Sequence, residues 1–425
     1  MLDRKNIAPG AYLTILDADK FCRQRITINF IWPASRGRAT AEALLPLVLE
    51  RGYAGCPDMT ELSKKLARLY GASLSVDSSM VGANRVLTVA VTGLKDAFAL
   101  AGERLSGAYA ELAFGTAFTP TRDAAGGIDA EYVAIEKEQL REQLESEINE
   151  KRSYCIRQAR RRFFGDDPAG IERWGYLDEV DGLTPQAVTQ AFEHMVRTAR
   201  VEVLALGIDA AVAERALRES LALFDRAPAA PCPPLAMPRT EPQYFTEPLD
   251  TVQGKLCLLF TAGAPLDPAD DLAATRVAVA LLGGTATSRL FQNVREKESL
   301  CYYCSAGFNA ATAQLLIDSG VEHAKAEEAR KAILRELEAL RTGPITEKEL
   351  DETKRALLNS LICVGDSLQA TESWWFSEIF RGTQCAPEEV MRATAQVTAD
   401  DVRRVLAQFS LSVVYCLTKG GAGHE

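Results

Sequence analysis

Histidine is scarce in this chain: three in 425 residues, at His194, His323 and His424, with none in the first 193 positions. No two can stand on neighbouring turns of one helix. Neither HExxH nor HxxEH can be written, so zinc hydrolysis built on paired helical imidazoles is excluded. The GxxxxGKS/T phosphate loop, the GxGxxG dinucleotide turn and the GxSxG nucleophile elbow are also missing. No run approaches the roughly 18 apolar residues of a membrane span. The first ten residues, Met1 to Gly10, carry charge but no signal-peptide core. Positive charge is in deficit, 48 Lys+Arg against 58 Asp+Glu for a net −10, the wrong sign for binding a phosphate backbone. The expectation is a reduced, cytoplasmic protein with neither nucleic acid nor membrane as partner.

Ten cysteines are present, mostly as isolated residues, and without an export signal they read as free thiols. The close pair Cys301-Tyr-Tyr-Cys304 lies in a run with strand character. Residues three apart in a regular strand face opposite ways, which argues against a shared metal or redox site. The segment from Glu131 has seven glutamates through Glu150, followed by Lys151, Arg152, Arg157 and Arg160 to Arg162. It reads as a solvated helix, acidic at its start and basic at its end, with pairs such as Glu147 with Lys151.

Prolines mark the strongest break. Seven of 18 fall between Pro228 and Pro248, a stretch that can be neither helix nor central strand and reads as a semi-rigid linker. On its two sides the same elements recur in the same order. Strand-like Arg25–Trp32 matches Lys255–Thr261, and helical Ala41–Glu50 matches Leu272–Leu282. Met59–Tyr70 matches Ser288–Lys297, and the strand-pair runs Leu74–Val91 and Leu300–Ser319 follow. Amphipathic helices come next: Phe98, Ala101, Leu105, Ala108 and Leu112 form one stripe, and Ala326, Ala329, Ile333, Leu337 and Leu340 the other. Long helical segments, Glu131–Phe164 and Glu347–Phe380, precede closing strands at Val201–Leu206 and Leu411–Leu417. This predicts an α+β fold of two homologous halves with mainly antiparallel sheets, residues 1–226 and 251–425, joined by a linker at 227–250.

The run from Leu282-Gly-Gly-Thr through Ser288-Arg-Leu-Phe291 and Arg295-Glu-Lys297 to Leu300-Cys-Tyr-Tyr303 resembles the second-half signature of the pitrilysin/insulinase metallopeptidases. Arg51-Gly52 and Leu66-Ala-Arg-Leu-Tyr-Gly-Ala72 resemble the first half more loosely. The resemblance covers nearly the whole chain and implies two halves closing like a clamshell around an unfolded peptide. Active relatives carry HxxEH on the first helix. The corresponding positions here are Ala43, Pro46 and Leu47, none of which can bind zinc or move a proton.

The family's second half contributes an arginine and a tyrosine seven residues apart that bind the substrate carbonyl; Arg295 and Tyr302 have that spacing. Both side chains donate hydrogen bonds, as a developing oxyanion requires. Tyr303 takes the role if the strand register differs. The family also holds peptides along a first-half edge strand, which places Ser75, Val76 and Asp77 on the peptide path. The resemblance thus implies the non-catalytic subunit of a heterodimeric zinc peptidase. This chain would hold no cofactor, and an HxxEH partner would hold the zinc. The alternative is a pseudo-peptidase that binds peptide or scaffolds a complex without a part in cleavage.

Overall fold

β-branched and aromatic residues alternate along β3 (Arg23–Pro33), the long central strand of the first sheet. Ile26, Ile28, Phe30 and Trp32 enter one apolar cluster, while Arg25, Thr27 and Asn29 take the opposite face. Each such side chain taken fully from water contributes about 1.5–3 kcal/mol, so the alternation fixes the strand's register. In this computed structural model, which describes residues 2–269 and 271–419, the chain forms a mixed α+β protein with two sheets. His424 lies outside the described residues.

The first sheet comprises β1 (Asp3–Ala8), β2 (Ala11–Leu16), β3, β4 (Ser73–Val81), β5 (Asn84–Leu94) and β6 (Arg200–Leu206), in the order β1-β2-β6-β3-β5-β4. The second comprises β7 (Gln243–Pro248), β8 (Gly254–Thr261), β9 (Cys301–Asn309), β10 (Gln314–Val321) and β11 (Ser410–Thr418), in the order β7-β11-β8-β10-β9. Without β1, the two orders are the same. Each also has one parallel pair, β2 with β6 and β7 with β11, among antiparallel ones. The repeat read from element order is therefore a repeat of topology, with edge strands β4 and β9 in equivalent places.

By contacts the chain divides into two compact units that cut across the sequence halves. One takes residues up to Glu145, Ile171–Cys232 and Gly365–Ile379; the other takes Ser146–Gly170, Pro233–Val364 and the remainder. Each unit thus uses a helix from the other half of the sequence. In the first, Leu368 and Ile379 of helix Leu368–Arg381 pack with Leu16, Ala18, Leu204 and Leu206, and Arg25 on β3 stands 3.5 Å from Glu372. In the second, helix Lys151–Phe164 lies on β8 and β11, its Arg152 gripping Asp318 on β10 at 2.5 and 3.1 Å.

The exchange accounts for two departures from the sequence expectation, and local bonding for others. The predicted single helix Glu131–Phe164 is two, Ala130–Ser146 and Lys151–Phe164, broken by a short turn where the chain passes from one unit to the other. Its acidic and basic ends therefore lie on different helices, and Glu147 pairs with Arg157 rather than Lys151. Glu347–Phe380 breaks likewise, at Cys363–Asp366, where the chain returns. The first amphipathic stripe starts late. The Asp96 carboxylate accepts from the Leu105 and Ser106 amides, so the helix begins at Ser106 and Phe98 stays exposed on a short turn before it. In the proline-rich stretch residues 225–242 are irregular, whereas Gln243–Pro248 forms β7, an edge strand that tolerates a proline at its end.

Candidate functional site

Arg295 lies on a wide-turn helix, Leu290–Lys297, which closes with the Glu298 amide donating to the Asn293 carbonyl at 2.9 Å. Ser299 then adopts a left-handed backbone (φ 51°) and turns the chain into β9. The start of β9 is irregular. Cys301 pairs with Val321 and Tyr303 with Gly320, leaving Tyr302 as the extra residue of a bulge. A bulge re-aims a side chain, and Tyr302 is 51% exposed. It shares a depression of about 290 Å³ with Arg295 and Cys301, rimmed by Glu296 and Glu322.

Arg295 is held loosely. Its Nε is 3.5 Å from Glu296 Oε1, its guanidinium stands 4.6 Å from the centre of the Phe291 ring, and the side chain is 39% exposed. Among the described residues the Tyr302 hydroxyl has no hydrogen-bond partner. One depression thus presents a guanidinium and a phenol, two donors suited to an oxygen that gains negative charge. Tyr303 has other work: its ring lies between the Arg152 and Lys255 cations, at 4.7 and 5.4 Å, and covers Gly320.

Ser75, Val76 and Asp77 lie on β4, which is an edge strand pairing regularly with β5 alone. Its outer side is already in use there. The Val76 amide donates to Glu50 Oε1 at 2.6 Å, and Asp77 pairs with Arg173.

Ala43, Pro46 and Leu47 lie on helix Ala39–Leu49, the first two buried and Leu47 packed against the core. None has a ligating atom. The polar residue that organises this helix is Glu42, fully buried. Its Oε1 accepts from the Trp32 indole (3.0 Å) and Arg38 Nε (3.1 Å), and its Oε2 lies 3.3 Å from Nε of the fully buried Arg85. Arg38 also reaches His194 Nε2 at 3.0 Å. A guanidinium can only donate, so that nitrogen accepts and the imidazole is neutral; burial first, then the Arg38 charge, hold its pKa below the usual histidine value. Among the described residues no group of three or more His, Cys, Asp or Glu could hold a metal.

Residues 182–357 match the family model described as "Peptidase M16 inactive domain". Over 420 residues, 97% of each chain, the sequence is 25% identical to "Probable inactive metalloprotease YmfF" of Bacillus subtilis (strain 168). Residues 182–357 thus resemble an inactive M16 peptidase domain, and the chain as a whole is homologous to a probable inactive metalloprotease. Among solved structures, a conserved protein of Enterococcus faecalis V583 superposes over the whole of both chains with a TM-score of 0.88 at 24% identity. An M16 inactive domain from Pseudomonas fluorescens does so with 0.77 at 20%. A protease from Helicobacter pylori, covering 98% of this chain and 99% of its own, gives 0.81 at 13%. These structures establish the fold. This chain's own residues do not fit a zinc ion there: apolar packing stands at the positions that the resemblance assigns to HxxEH, and the nearby carboxylate of Glu42 is taken by Arg38, Arg85 and Trp32.

Two features escaped the sequence reading. Glu42 and Arg85 could have been suspected as lone charges inside the apolar runs Ala39–Leu49 and Asn84–Leu94. The expectation that Cys301 and Cys304 face opposite ways is wrong. The bulge sets Cys301 opposite Val321 and Cys304 opposite Ser319, two residues apart on β10, so strand pairing puts both on one face. Nothing in the residue pattern marks a bulge at Tyr302.

Proposed function

We propose that this chain is the non-catalytic subunit of a two-chain M16 peptidase. An HxxEH partner would hold the zinc, and this subunit would contribute Arg295 and Tyr302 to recognition of an unfolded peptide. The carrying observation is the shared depression, in which a loosely held guanidinium and an unpartnered phenol lie side by side. In the assembled pair both would donate to the carbonyl oxygen of the peptide bond under attack. Such donors act most strongly as negative charge develops on that oxygen.

The isolated chain is expected to bind no stoichiometric zinc and to cleave no peptide; mixing with an HxxEH partner should produce cleavage. In that mixture Arg295→Ala should lower kcat by about 10²–10³-fold, the effect of losing one oxyanion donor. Tyr302→Phe should lower it less. Full turnover with both substitutions sinks the proposal.

One observation favours the alternative, a pseudo-peptidase scaffold: the Val76 amide on the peptide-edge candidate β4 is occupied by Glu50. On that reading neither substitution changes any partner's turnover.

A further inference from the structure

Ten free cysteines are described, and they occupy different surroundings. Burial pushes the thiols of Cys155, Cys257 and Cys416 up, as expected of inert core residues. Cys301 differs in placement. It lies in the depression beside Arg295, open on one side, with Cys304 buried behind it. Through the bulge, Cys301 and Cys304 span only two residues of β10, about 6.6–6.8 Å at strand rise. That is at the long end of the usual Cα separation across a disulfide, roughly 4.4–6.8 Å, and both side chains are on one face. In a regular strand the same pair would be about 10 Å apart on opposite faces. Ser319 lies directly opposite Cys304, and its hydroxyl donates to the Tyr303 carbonyl at 2.8 Å.

We propose that Cys301 and Cys304 form a redox-modification site that reacts with small hydroperoxides and closes reversibly to a disulfide. The proposal stands on the bulge and the depression and does not rest on the peptidase-subunit reading. The Cys301 thiolate attacks the terminal peroxide oxygen. The O–O bond breaks, the leaving alkoxide or hydroxide takes up a proton, and Cys301 becomes a sulfenic acid. The Cys304 sulfur then attacks the Cys301 sulfur, expelling hydroxide, which leaves as water with the Cys304 proton. Two thiols and one hydroperoxide thus yield one disulfide, one water and one alcohol (or a second water). Which thiol attacks first follows from the surroundings. The neighbouring Cys304 first, then Ser319 and the Arg295 charge, outweigh burial and bring Cys301 down to about 7, while Cys304 is pushed up.

The test uses the intact chain and hydrogen peroxide in stoichiometric amount. Trypsin should release residues 298–325, which contain Cys301 and Cys304 and no other cysteine. After oxidation and alkylation this peptide should be two hydrogens lighter and carry no alkyl group, and dithiothreitol should restore both alkylation sites. Cys304→Ser should instead leave a dimedone-reactive sulfenic acid on Cys301, and Cys301→Ser should abolish both products. The proposal is overturned if both thiols of this peptide remain alkylatable while the exposed Cys22 and Cys363 are oxidised. It is equally overturned if wild-type Cys301 accumulates as the dimedone adduct without closing onto Cys304.

Discussion

The edge strands β4 and β9 occupy the same place in two sheets of the same order, and the chain enters them in the same way. The Ala72 amide closes onto the Leu66 carbonyl and the Leu300 amide onto the Val294 carbonyl, both at 3.1 Å. Beyond that they part. The residue after Leu66 is Ala67, and the residue after Val294 is Arg295. β4 pairs in unbroken register and spends its polar groups internally, whereas β9 opens with a bulge that exposes Tyr302 and brings two thiols together. One fold has thus been used twice, once with its charges buried as structure and once with them left available. Helix Ala39–Leu49 belongs to the first style, and there a buried ion pair is the organising polar contact.

The sharpest way to break this comparison is to remove one arginine from each unit. Arg85 is fully buried, 3.3 Å from Glu42, with further bonds to Ser78 Oγ and the Ala39 and Arg173 carbonyls. Arg85→Ala strands a buried carboxylate and should cost about 3–5 kcal/mol in chemical unfolding. Arg295→Ala removes an exposed, loosely held charge and should stay within about 0.5 kcal/mol. An equal loss in both variants would make Arg295 structural and remove the ground for calling β9 the functional edge.

A gentler contrast uses glycines near the ends of β5 and β10. A Cβ on Gly93 would come within 2.2 Å of the Tyr109 ring, and one on Gly320 within 2.4 Å of the Tyr303 ring. Either alanine should cost about 1–3 kcal/mol by overpacking. Only Gly320→Ala pushes on the strand carrying the bulge, so only it should change the alkylation rate of Cys301. The same change in rate with Gly93→Ala would mean that the thiol's reactivity does not depend on the geometry of β9.

Much of the frame was legible in sequence because it rests on periodicity. The strand-pair runs and the stripe from Ala329 to Leu340 each follow one buried face, and burial drives both. What escaped was set by tertiary partners. The helical pattern runs through Ser146 and Cys363 without a gap, because local propensity does not register that the chain is leaving one unit for another. Arg295 and Tyr302 were picked out by family resemblance and spacing alone. Their shared depression depends on a one-residue bulge, which reverses the facing that strand alternation assigns to Cys301 and Cys304.

The smallest expected effect concerns the cap on β4. Burial pushes the Glu50 carboxyl above its ordinary pKa, against the Val76 amide that lowers it, and the Asp77 and Glu136 charges add to the rise. A carboxylate whose folded pKa lies above its unfolded value, about 4.3, destabilises the fold when ionised; that penalty is present at neutral pH and fades as pH falls through the folded pKa. Gln keeps an oxygen for the Val76 amide and carries no charge. Glu50→Gln should therefore melt slightly higher than wild type at pH 8, with the gap closing toward pH 4, read by thermal unfolding at both. A gap that persists at pH 4 would mean the ionised carboxylate is not its source. Glu50→Ala instead frees the amide; if β4 can take an added strand, that variant should bind an unfolded peptide more tightly than Glu50→Gln does, and equal affinities would leave β4 as a closed edge.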